Sequence, residues 1–311
     1  MRERTGRAVM ILLMFGMLLQ PVVRAAAPSD RAVAITIDDL PRGLDGGPRD
    51  FSTLKAMTVK LLQPFRERRI PVTGFVNAGR YSGDESGLRE LLALWIDAGA
   101  QLGNHSYSHP DINTVSLDAY TADVLKGEQP LRDVLAAHGQ SLKYYRHPYL
   151  HVGASPEAKK GLASFLADRG YTVAPVTLDN ADYAFAAAYV KVETRSRVRR
   201  EYVPYIESTV EFFESRSVEV VGREFPQILL IHANQLNADL IPELLAMFER
   251  RGYRFVTLDE ALSDPAYRQA ESYTGKGGFS WIHRWSREKG LPNKGEPEAP
   301  AWVIKAFEAR R

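Results

Sequence analysis

The chain contains no cysteine among its 311 residues, and this absence excludes several kinds of site at once. Thiol nucleophiles, thiolate metal ligands and disulfide bonds all need cysteine, so any metal ion must be held by His, Asp or Glu. An excess of charge of one sign is also missing, since 40 basic residues face 38 acidic ones. We therefore expect no nucleic-acid partner, because no electrostatic field of one sign is available to hold it.

The N-terminus has the layout of a secretory signal peptide. Three arginines lie in the first seven residues, an apolar run follows over 9–19, and alanines occupy 25–27. A retained membrane anchor is the alternative, but glycine, glutamine and proline interrupt the apolar stretch, which is shorter than the roughly 20 residues of a spanning helix. We predict a signal peptide over residues 1–27, no membrane anchor after its cleavage, and export to the periplasm or the cell exterior.

The rest of the chain alternates short β-rich runs with longer stretches of helical periodicity. Leu88, Leu91 and Trp95, for example, recur at a spacing that places them on one helix face. The strand candidates are residues 32–37, 71–76, 101–104, 142–146, 171–176, 228–232 and 254–257. The helix candidates are residues 53–68, 87–98, 118–138, 156–169, 202–215 and 238–250.

Strict alternation of this kind predicts an α/β fold with a parallel sheet, closed or nearly closed into a barrel. A flat, doubly wound sheet is the competing architecture. We expect the barrel to span residues 28–263 and a C-terminal extension to span 264–311. The extension lacks the alternation and carries Trp281, Trp285 and Trp302. These tryptophans are interpreted as packing residues, with an aromatic sugar-binding platform as the alternative.

Unusual polar residues fall at the ends of the predicted strands. In a parallel barrel the carboxyl ends of all strands lie on one rim, which is where active sites are built. Residues far apart in the chain are therefore predicted to converge on one mouth. They are Asp38 and Asp39 after the first strand, His105 after the third, Arg146 after the fourth, Asp179 and Asp182 after the fifth, and His232 at the end of the sixth.

His105 and His109 are four positions apart, so both imidazoles can face one point if the chain makes a single helical turn. Such a pair commonly binds a transition metal, although two hydrogen-bonded loop histidines are the simpler explanation. The carboxylates of Asp38 and Asp39 at a neighbouring strand end favour the metal. Because consecutive side chains leave a strand on opposite sides, one carboxylate can face the metal and the other the reacting water. An ordinary turn after the strand is the alternative.

Two histidines and one aspartate leave a zinc-like ion with an open position, and such an ion polarises a carbonyl and makes water more acidic. Amide hydrolysis also needs a base for the water and an acid for the leaving amine. We assign Asp38 to the first role and His232 to the second, with a core histidine bonded to a backbone carbonyl as the alternative for His232. Arg146 is predicted to orient a catalytic aspartate, with a surface ion pair as the alternative.

Five segments resemble, in order, the five motifs of the polysaccharide deacetylase family, which is carbohydrate esterase family four and is also called the NodB-homology domain. The resemblance covers roughly residues 32–262 and implies a distorted (β/α)7 barrel. The segments are Thr-Ile-Asp-Asp at 36–39, His-Ser-Tyr-Ser-His-Pro at 105–110, Arg-His-Pro-Tyr at 146–149, Asp-Asn-Ala-Asp-Tyr at 179–183 and Leu-Ile-His at 230–232.

The resemblance implies a metal centre and a base. Asp39, His105 and His109 would bind one divalent metal ion, zinc in the first instance and otherwise cobalt or nickel. Asp38 would be the general base that takes a proton from the attacking water.

The resemblance also implies the remaining roles. Arg146 would line the groove and hold the catalytic carboxylates, and Tyr149 would offer its backbone N–H to the oxyanion. Asp182 would tune His232, which would act as the general acid. Tyr183 would lie on the substrate side of the site.

Two departures from the family pattern concern the substrate more than the chemistry. Leu40 precedes Pro41 where the family usually has Gly-Pro, and Tyr183 stands where tryptophan is frequent. Asp179 also matches the fourth motif, but we assign it no direct role.

Together these observations predict a metal-dependent hydrolase that removes N-linked, or otherwise O-linked, acetyl groups from a polysaccharide or oligosaccharide and releases acetate. One alternative is a hydrolase of a non-sugar amide or ester on the same fold. Another is a catalytically silent, carbohydrate-binding relative. The silent relative is disfavoured because no metal or acid-base position is broken in this sequence.

Overall fold

The computed structural model describes residues 31–309, so the predicted signal peptide lies outside the described residues. Seven parallel strands lie where the sequence predicts strands. They are β1 Ala32–Leu40, β2 Val72–Val76, β3 Gln101–Asn104, β4 Tyr144–Tyr145, β5 Thr172–Val173, β6 Gln227–His232 and β7 Arg254–Phe255.

Helices connect the strands, and short 3-10 turns lie at Ala78–Arg80, Pro148–Leu150 and Pro265–Arg268. The helices are α1 Phe51–Arg68, α2 Glu85–Asp97, α3 Leu117–Ala137, α4 Pro156–Asp168, α5 Asp182–Tyr189, α6 Val192–Val221, α7 Gln235–Arg250, α8 Leu258–Ser263, α9 Trp281–Glu288 and α10 Ala301–Glu308. Polar caps fix many of the helix starts, since Asp50, Asp84, Ser116 and Asn234 each accept a hydrogen bond from a backbone N–H of the first turn. Each such cap stabilises by roughly 0.5–2 kcal/mol.

The sheet curls into a distorted barrel, as predicted. Its strand order is β5-β4-β3-β2-β1-β6, and β7 pairs with the start of β1. The two edges meet because Leu178, beyond β5, forms a parallel bridge with Leu229 of β6. The backbone N–H of Leu230 donates to the carbonyl of Leu178 over 3.2 Å. All strands are parallel, so their carboxyl ends share one rim.

The core lies on both faces of the sheet. Every residue of β1 is buried, and Ile35 and Ile37 are at most 1% exposed. Strands that are covered on both faces carry continuous apolar runs rather than alternation, as this strand does. Burial of one isoleucine side chain contributes about 1.5–3 kcal/mol. The central strand is therefore a rigid base for the two aspartates at its end.

Helix α6 is longer than predicted. The apolar periodicity indicates a helix over residues 202–215, whereas the structure extends it to Val192–Val221. The added residues carry charged pairs at helical spacing, such as Arg197 with Glu201 at 2.8 Å. Ion pairs on a solvent face support a helix without leaving an apolar pattern to detect.

The C-terminal extension packs against the barrel through its tryptophans. Trp285 is 2% exposed and Trp281 is 8% exposed, and both belong to the main apolar core. Trp302 donates its indole N–H to Glu201 over 2.9 Å. These contacts favour packing over an aromatic sugar-binding platform. Within residues 31–309, none of the helices combines the length and apolar character that crossing a bilayer requires.

Candidate active site

The parallel sheet brings the predicted site residues to one rim. Asp38, at the end of β1, is the register neighbour of His232 at the end of β6. His105 follows β3 directly and Arg146 follows β4, while Asp182 begins α5. The mouth is therefore assembled from five segments that are distant in the sequence.

Asp38 and Asp39 point to different partners because β1 is irregular at its end. The register between β1 and β2 shifts between Ile37 and Leu40, and Asp39 has a left-handed φ of 66°. Irregularities of this kind re-aim side chains near active sites. One of the two neighbouring carboxylates therefore faces the histidine pair, and the other faces Arg146.

Asp39, His105 and His109 form a group that could hold a metal ion, with one ligand atom from each within 4.8 Å of the others. Oδ1 of Asp39 lies 3.6 Å from Nε2 of His109 and 3.7 Å from Nε2 of His105. Oδ1 of Asp39 is buried and accepts no hydrogen bond from a described residue. An uncompensated buried carboxylate oxygen facing two imidazoles fits a bound cation.

Both histidines are in the neutral form that metal ligation requires, and His105 is also fixed in its tautomer. Nδ1 of His105 lies 2.8 Å from the carbonyl of Arg146, so it carries the proton and leaves Nε2 free to coordinate. Burial lowers the pKa of His105 well below its usual value and lowers the pKa of His109 to about 4. Both rings are therefore neutral near pH 7, as ligation requires.

The loop that carries the two histidines is a tight bend and not the single helical turn that we expected. Ser106 and His109 both have left-handed backbone, with φ of 65° and 61°. The bend is held by polar side chains outside the motif, because Asp123 accepts from the backbone N–H of Tyr107 and Ser108 over 2.8 and 2.9 Å. The rings of His105 and His109 thereby face one point, with centroids 4.8 Å apart.

Asp39 has a second partner that the sequence did not reveal. Nη1 of Arg80, at the end of a 3-10 turn after β2, lies 2.5 Å from Oδ2 of Asp39. Burial opposes ionisation of Asp39. In the acidic range where this carboxyl titrates, however, His109 is protonated, and its charge and that of Arg80 outweigh burial and hold the Asp39 pKa well below its usual range. Asp39 is therefore ionised, with Oδ1 directed at the histidines and Oδ2 paired with Arg80.

Asp38 is also buried, but its carboxylate is less well paired with positive charge than that of Asp39. Its Oδ2 is 3.6 Å from Nη1 of Arg146 and 3.6 Å from Nε2 of His105, and its Oδ1 accepts no hydrogen bond from a described residue. Burial raises the pKa of Asp38 from 3.8 to about 6, although the charge of Arg146 acts in the opposite direction. Such a carboxyl has the proton affinity that suits a general base near neutral pH.

Arg146 is fixed by contacts that leave part of its guanidinium for Asp38. Nη2 donates to the Thr36 hydroxyl over 2.9 Å, and the guanidinium lies over the Phe75 ring at 4.7 Å. The side chain is 0% exposed, so the predicted alternative of a surface ion pair does not apply. Thr36 in turn donates to the carbonyl of Leu229 over 2.5 Å, which ties Arg146 to β6.

His232 is coupled to Asp182. Nδ1 of the imidazole lies 2.6 Å from Oδ1 of the carboxylate, so Nε2 is the nitrogen left for the mouth. Burial lowers the pKa of His232, but the Asp182 charge and hydrogen bond outweigh burial and raise it to about 9. The imidazole is therefore protonated near pH 7 and can supply a proton. The alternative for His232, a core histidine bonded to a backbone carbonyl, does not apply, because Nδ1 is bonded to the Asp182 carboxylate instead.

Two exposed tyrosines flank the buried groups. The Tyr149 ring, 52% exposed, lies 4.3 Å from the His109 ring, and the Tyr183 ring, 43% exposed, lies 6.1 Å from the His232 ring. Asp179, by contrast, accepts a hydrogen bond from the N–H of Asn180 over 2.9 Å and has no described hydrogen bond to His232. Tyr149 and Tyr183 therefore border the mouth, whereas Asp179 is not hydrogen-bonded to His232 as Asp182 is.

Sequence reasoning missed the residues that support the site residues. Asn237 Nδ2 donates to Asp182 Oδ2 over 2.8 Å and to the His232 carbonyl over 2.8 Å. Asn77 Nδ2 donates to the His105 carbonyl. The sequence signal that could have indicated these supporting residues is an asparagine in a buried segment, since a buried side-chain amide needs hydrogen-bond partners. Only the three-dimensional fold tells which partners these are.

The comparisons with known proteins agree with this geometry. The family model for polysaccharide deacetylase matches residues 25–171, a span that contains both aspartates of β1, both histidines and Arg146. Over these residues the chain is similar to the polysaccharide deacetylase family. The matched family consists of deacetylases, hydrolases that act on carbon–nitrogen bonds other than peptide bonds.

Two curated relatives and one solved structure illustrate the similarity. A chitin deacetylase from Colletotrichum lindemuthianum is 28% identical over 247 residues, which are 78% of this chain and 84% of the relative. A probable peptidoglycan-N-acetylglucosamine deacetylase from Arthroderma benhamiae is 29% identical over 237 residues, 75% of this chain and 44% of the relative. A polysaccharide deacetylase from Bacillus cereus has a TM-score of 0.51 at 18% identity, covering 73% of this chain and 91% of that one, and it supports the barrel fold alone.

Proposed function

We propose that this chain is a deacetylase that removes N-linked acetyl groups from an acetylated glycan and depends on one divalent metal ion, zinc, for turnover. The observation that carries the proposal is the meeting of three groups at one rim. They are the Asp39, His105 and His109 cluster, the buried carboxyl of Asp38, and the Asp182–His232 pair. Each group supplies one need of amide hydrolysis, namely an electrophilic centre, a base and an acid.

The chemistry then follows from the chain's own residues. When bound by Asp39 and the two histidines, a divalent ion of this kind polarises a substrate carbonyl and makes a neighbouring water more acidic. Asp38 takes a proton from that water as its oxygen attacks the acetyl carbon. Arg146, fixed by Thr36, keeps Asp38 oriented. The Tyr149 backbone N–H donates to the oxygen that gains charge.

Collapse of the tetrahedral species breaks the carbon–nitrogen bond. His232 gives its Nε2 proton to the leaving nitrogen, because an amine leaves poorly unless it is protonated. Asp182 stabilises the charged imidazole before this step and keeps Nδ1 bonded, so Nε2 is the nitrogen that exchanges the proton. The products are acetate and a free amino sugar.

Substrate class, location and domain limits are part of the same proposal. The similarity to a chitin deacetylase and to a probable peptidoglycan-N-acetylglucosamine deacetylase favours a sugar with an N-acetyl group. The N-terminal sequence favours export, where such polymers lie. We propose residues 28–263 as the catalytic domain and 264–311 as an extension that packs on it.

Acetate release by the purified mature chain tests this proposal. Chitooligosaccharides, peptidoglycan fragments and acetylated xylan would each be incubated with the metal-free chain and with the zinc-loaded chain. Zinc-dependent release from an N-acetylated glycan is the expected result. Release from acetylated xylan alone would assign an O-acetyl esterase, and silence towards all three with zinc bound would contradict the proposal.

A further inference from the structure

Part of the C-terminal extension contacts the rim of the active site directly. We call residues 271–284 the clamp segment and residues 146–153 the Tyr149 loop. The N–H of Gly275 donates to the carbonyl of Gly153 over 3.3 Å. The clamp segment is itself anchored to the barrel, because the N–H of Trp281 donates to Val176 over 2.8 Å and Ser280 donates to Thr177 over 2.7 Å.

The Tyr149 loop has a backbone conformation that needs external support. Tyr149 and Leu150 are consecutive residues with left-handed φ, 56° and 55°. Residues with side chains rarely adopt this region, and two in succession persist only where neighbouring groups hold them. Hydrogen bonds within the loop, from Leu150 N–H to the His147 carbonyl and from His151 N–H to the Pro148 carbonyl, supply part of this support. The direction of the Tyr149 N–H is therefore also sensitive to the groups that contact the two carbonyls that follow it.

Arg284 holds the second of these carbonyls. Its Nη2 donates to the oxygen of Leu150 over 2.5 Å. The guanidinium is 1% exposed and lies 3.9 Å from the centroid of the Trp281 ring. A buried, stacked guanidinium has little freedom to move. The Leu150 carbonyl is thus bonded to a rigid part of the clamp segment.

Gly278 lies against the first carbonyl, that of Tyr149. A Cβ on Gly278 would lie 1.7 Å from the oxygen of Tyr149, so any larger residue must displace the loop or the clamp segment. At the adjacent Gly277, a Cβ would meet nothing nearer than 3.5 Å. Neither glycine has a left-handed φ. Alanine at the two positions therefore differs in its contact with the Tyr149 loop, since a Cβ at Gly278 would also lie 3.1 Å from Cδ2 of His151.

We propose that the clamp segment positions the Tyr149 loop so that the Tyr149 N–H faces the developing oxyanion, with Gly278 and Arg284 as positioning residues. The inference rests on the proposed function, because the oxyanion belongs to the hydrolysis. It assigns part of the C-terminal extension, which lies beyond the match to the family model, a role in the reaction.

Gly278→Ala and Gly277→Ala form a matched pair for testing this inference. Loss of one oxyanion donor typically costs about a hundredfold to a thousandfold in kcat. A displaced donor should cost less, so we expect kcat of Gly278→Ala to fall by roughly tenfold to a hundredfold. KM and bound metal should stay at the wild-type level. The loss should be the same factor on an amide and on an activated ester, since both pass through an oxyanion. Gly277→Ala should match the wild type throughout.

Arg284 gives a second route if Gly278→Ala does not fold. Arg284→Met keeps the length of the side chain and its contact with Trp281 but removes the donor to Leu150. It should lower kcat without raising KM, and Arg284→Lys should restore part of the rate. A merely structural role would instead lower the melting temperature and the active fraction, leaving kcat per bound metal unchanged.

A measurement that needs no turnover tests this inference separately from the proposed function. Selective ¹⁵N-tyrosine spectra report the Tyr149 amide, which should move in Gly278→Ala and not in Gly277→Ala. An inactive wild-type chain with bound zinc would overturn the proposed function, while the amide shift would still decide whether the clamp holds the loop. Equal kcat in the two alanine variants of an active enzyme, or an unmoved Tyr149 amide, would overturn the inference.

Discussion

Asp182 bonds both the ring and the backbone of His232. Oδ1 lies 2.6 Å from Nδ1, and Oδ2 accepts from the backbone N–H over 2.8 Å. Asn237 donates to the same Oδ2, so the carboxylate is fixed on both oxygens. Asp182 therefore fixes the position of the His232 imidazole and favours its protonated form. The effect of Asp182 on His232 can be measured.

Replacing Asp182 by asparagine should shift the alkaline limb of the pH profile. The Asp182 charge and hydrogen bond raise the pKa of His232 to about 9, so their loss should lower that pKa by about one to two units, since Asp39 and Asp38 still oppose the effect of burial. The general acid must be protonated to act, so kcat should begin to fall about one to two pH units earlier in the variant. The measurement is kcat against pH for both proteins. An unchanged alkaline limb would rule out His232 as the acid.

The same pair predicts a pH-dependent stability. A group whose pKa is higher in the folded chain contributes stability that is complete below its unfolded value, 6.5, and that is lost as the pH rises through the folded value of about 9. The metal-free wild type should therefore have a larger free energy of unfolding than Asp182→Asn. We expect this difference to be greater below pH 6.5 than above pH 9 by on the order of 2 kcal/mol. Chemical denaturation at both ends of this range measures the difference. A difference that is constant with pH would contradict the coupling.

Asp38→Asn should separate catalysis from metal binding. Asp38 lies outside the group of candidate ligands, so bound zinc should stay at the wild-type level. Acetate release should fall by about a hundredfold or more, which is the usual contribution of a general base. Asp97→Asn is the matched control, because Asp97 has an exposed side chain on the outside of the barrel. Near-wild-type turnover in Asp38→Asn would show that another group takes the proton.

His105→Ala should lose both metal and activity. The variant removes one of three candidate ligands, so zinc content and acetate release should fall together, the latter by at least about a hundredfold. Zinc should also raise the melting temperature of the wild type more than that of the variant, since a ligand stabilises the state that binds it. His138→Ala, at the end of α3, is the control. Full zinc occupancy in His105→Ala would place the ion elsewhere.

The sequence was sufficient to locate the strands because each is a short apolar run that ends in a polar residue or a turn. The predicted range 101–104 coincides with β3, and the predicted 228–232 differs from β6 by one residue. Ranges 142–146 and 171–176 were too long, since only Tyr144–Tyr145 and Thr172–Val173 form regular ladders. Strand ends fix the site residues, so the position of the mouth followed from the same pattern.

The sequence pattern did not identify the polar side chains, distant in the chain, that contact the site residues. Arg80 contacts Asp39 only because β1 and β2 are adjacent, and Thr36 holds Arg146 across 110 positions. The bend between His105 and His109 depends on Asp123 of α3, which has no local signature. Partners of this kind are set by how the elements pack, and one-dimensional spacing does not encode them.

The C-terminal extension was the least predictable part of the chain. Residues 271–280 have neither apolar periodicity nor strand alternation, and their order comes from contacts with the barrel such as Lys159 with the carbonyl of Tyr273 at 3.0 Å. A segment that is ordered by contacts with the barrel surface has no periodic pattern in the sequence, which shows only glycine and aromatic residues there. Its proximity to Tyr149 therefore emerged from the structure.

The most direct test of the account is a zinc titration of the metal-free chain during which acetate release from an N-acetylated glycan is followed. Release should be absent at the start, rise with bound zinc, and level off when the proposed site at Asp39, His105 and His109 is filled. Asp38→Asn should bind the same zinc and release almost no acetate. Full release without metal, or zinc bound at this site with no release from any N-acetylated glycan, would contradict a metal-dependent deacetylase.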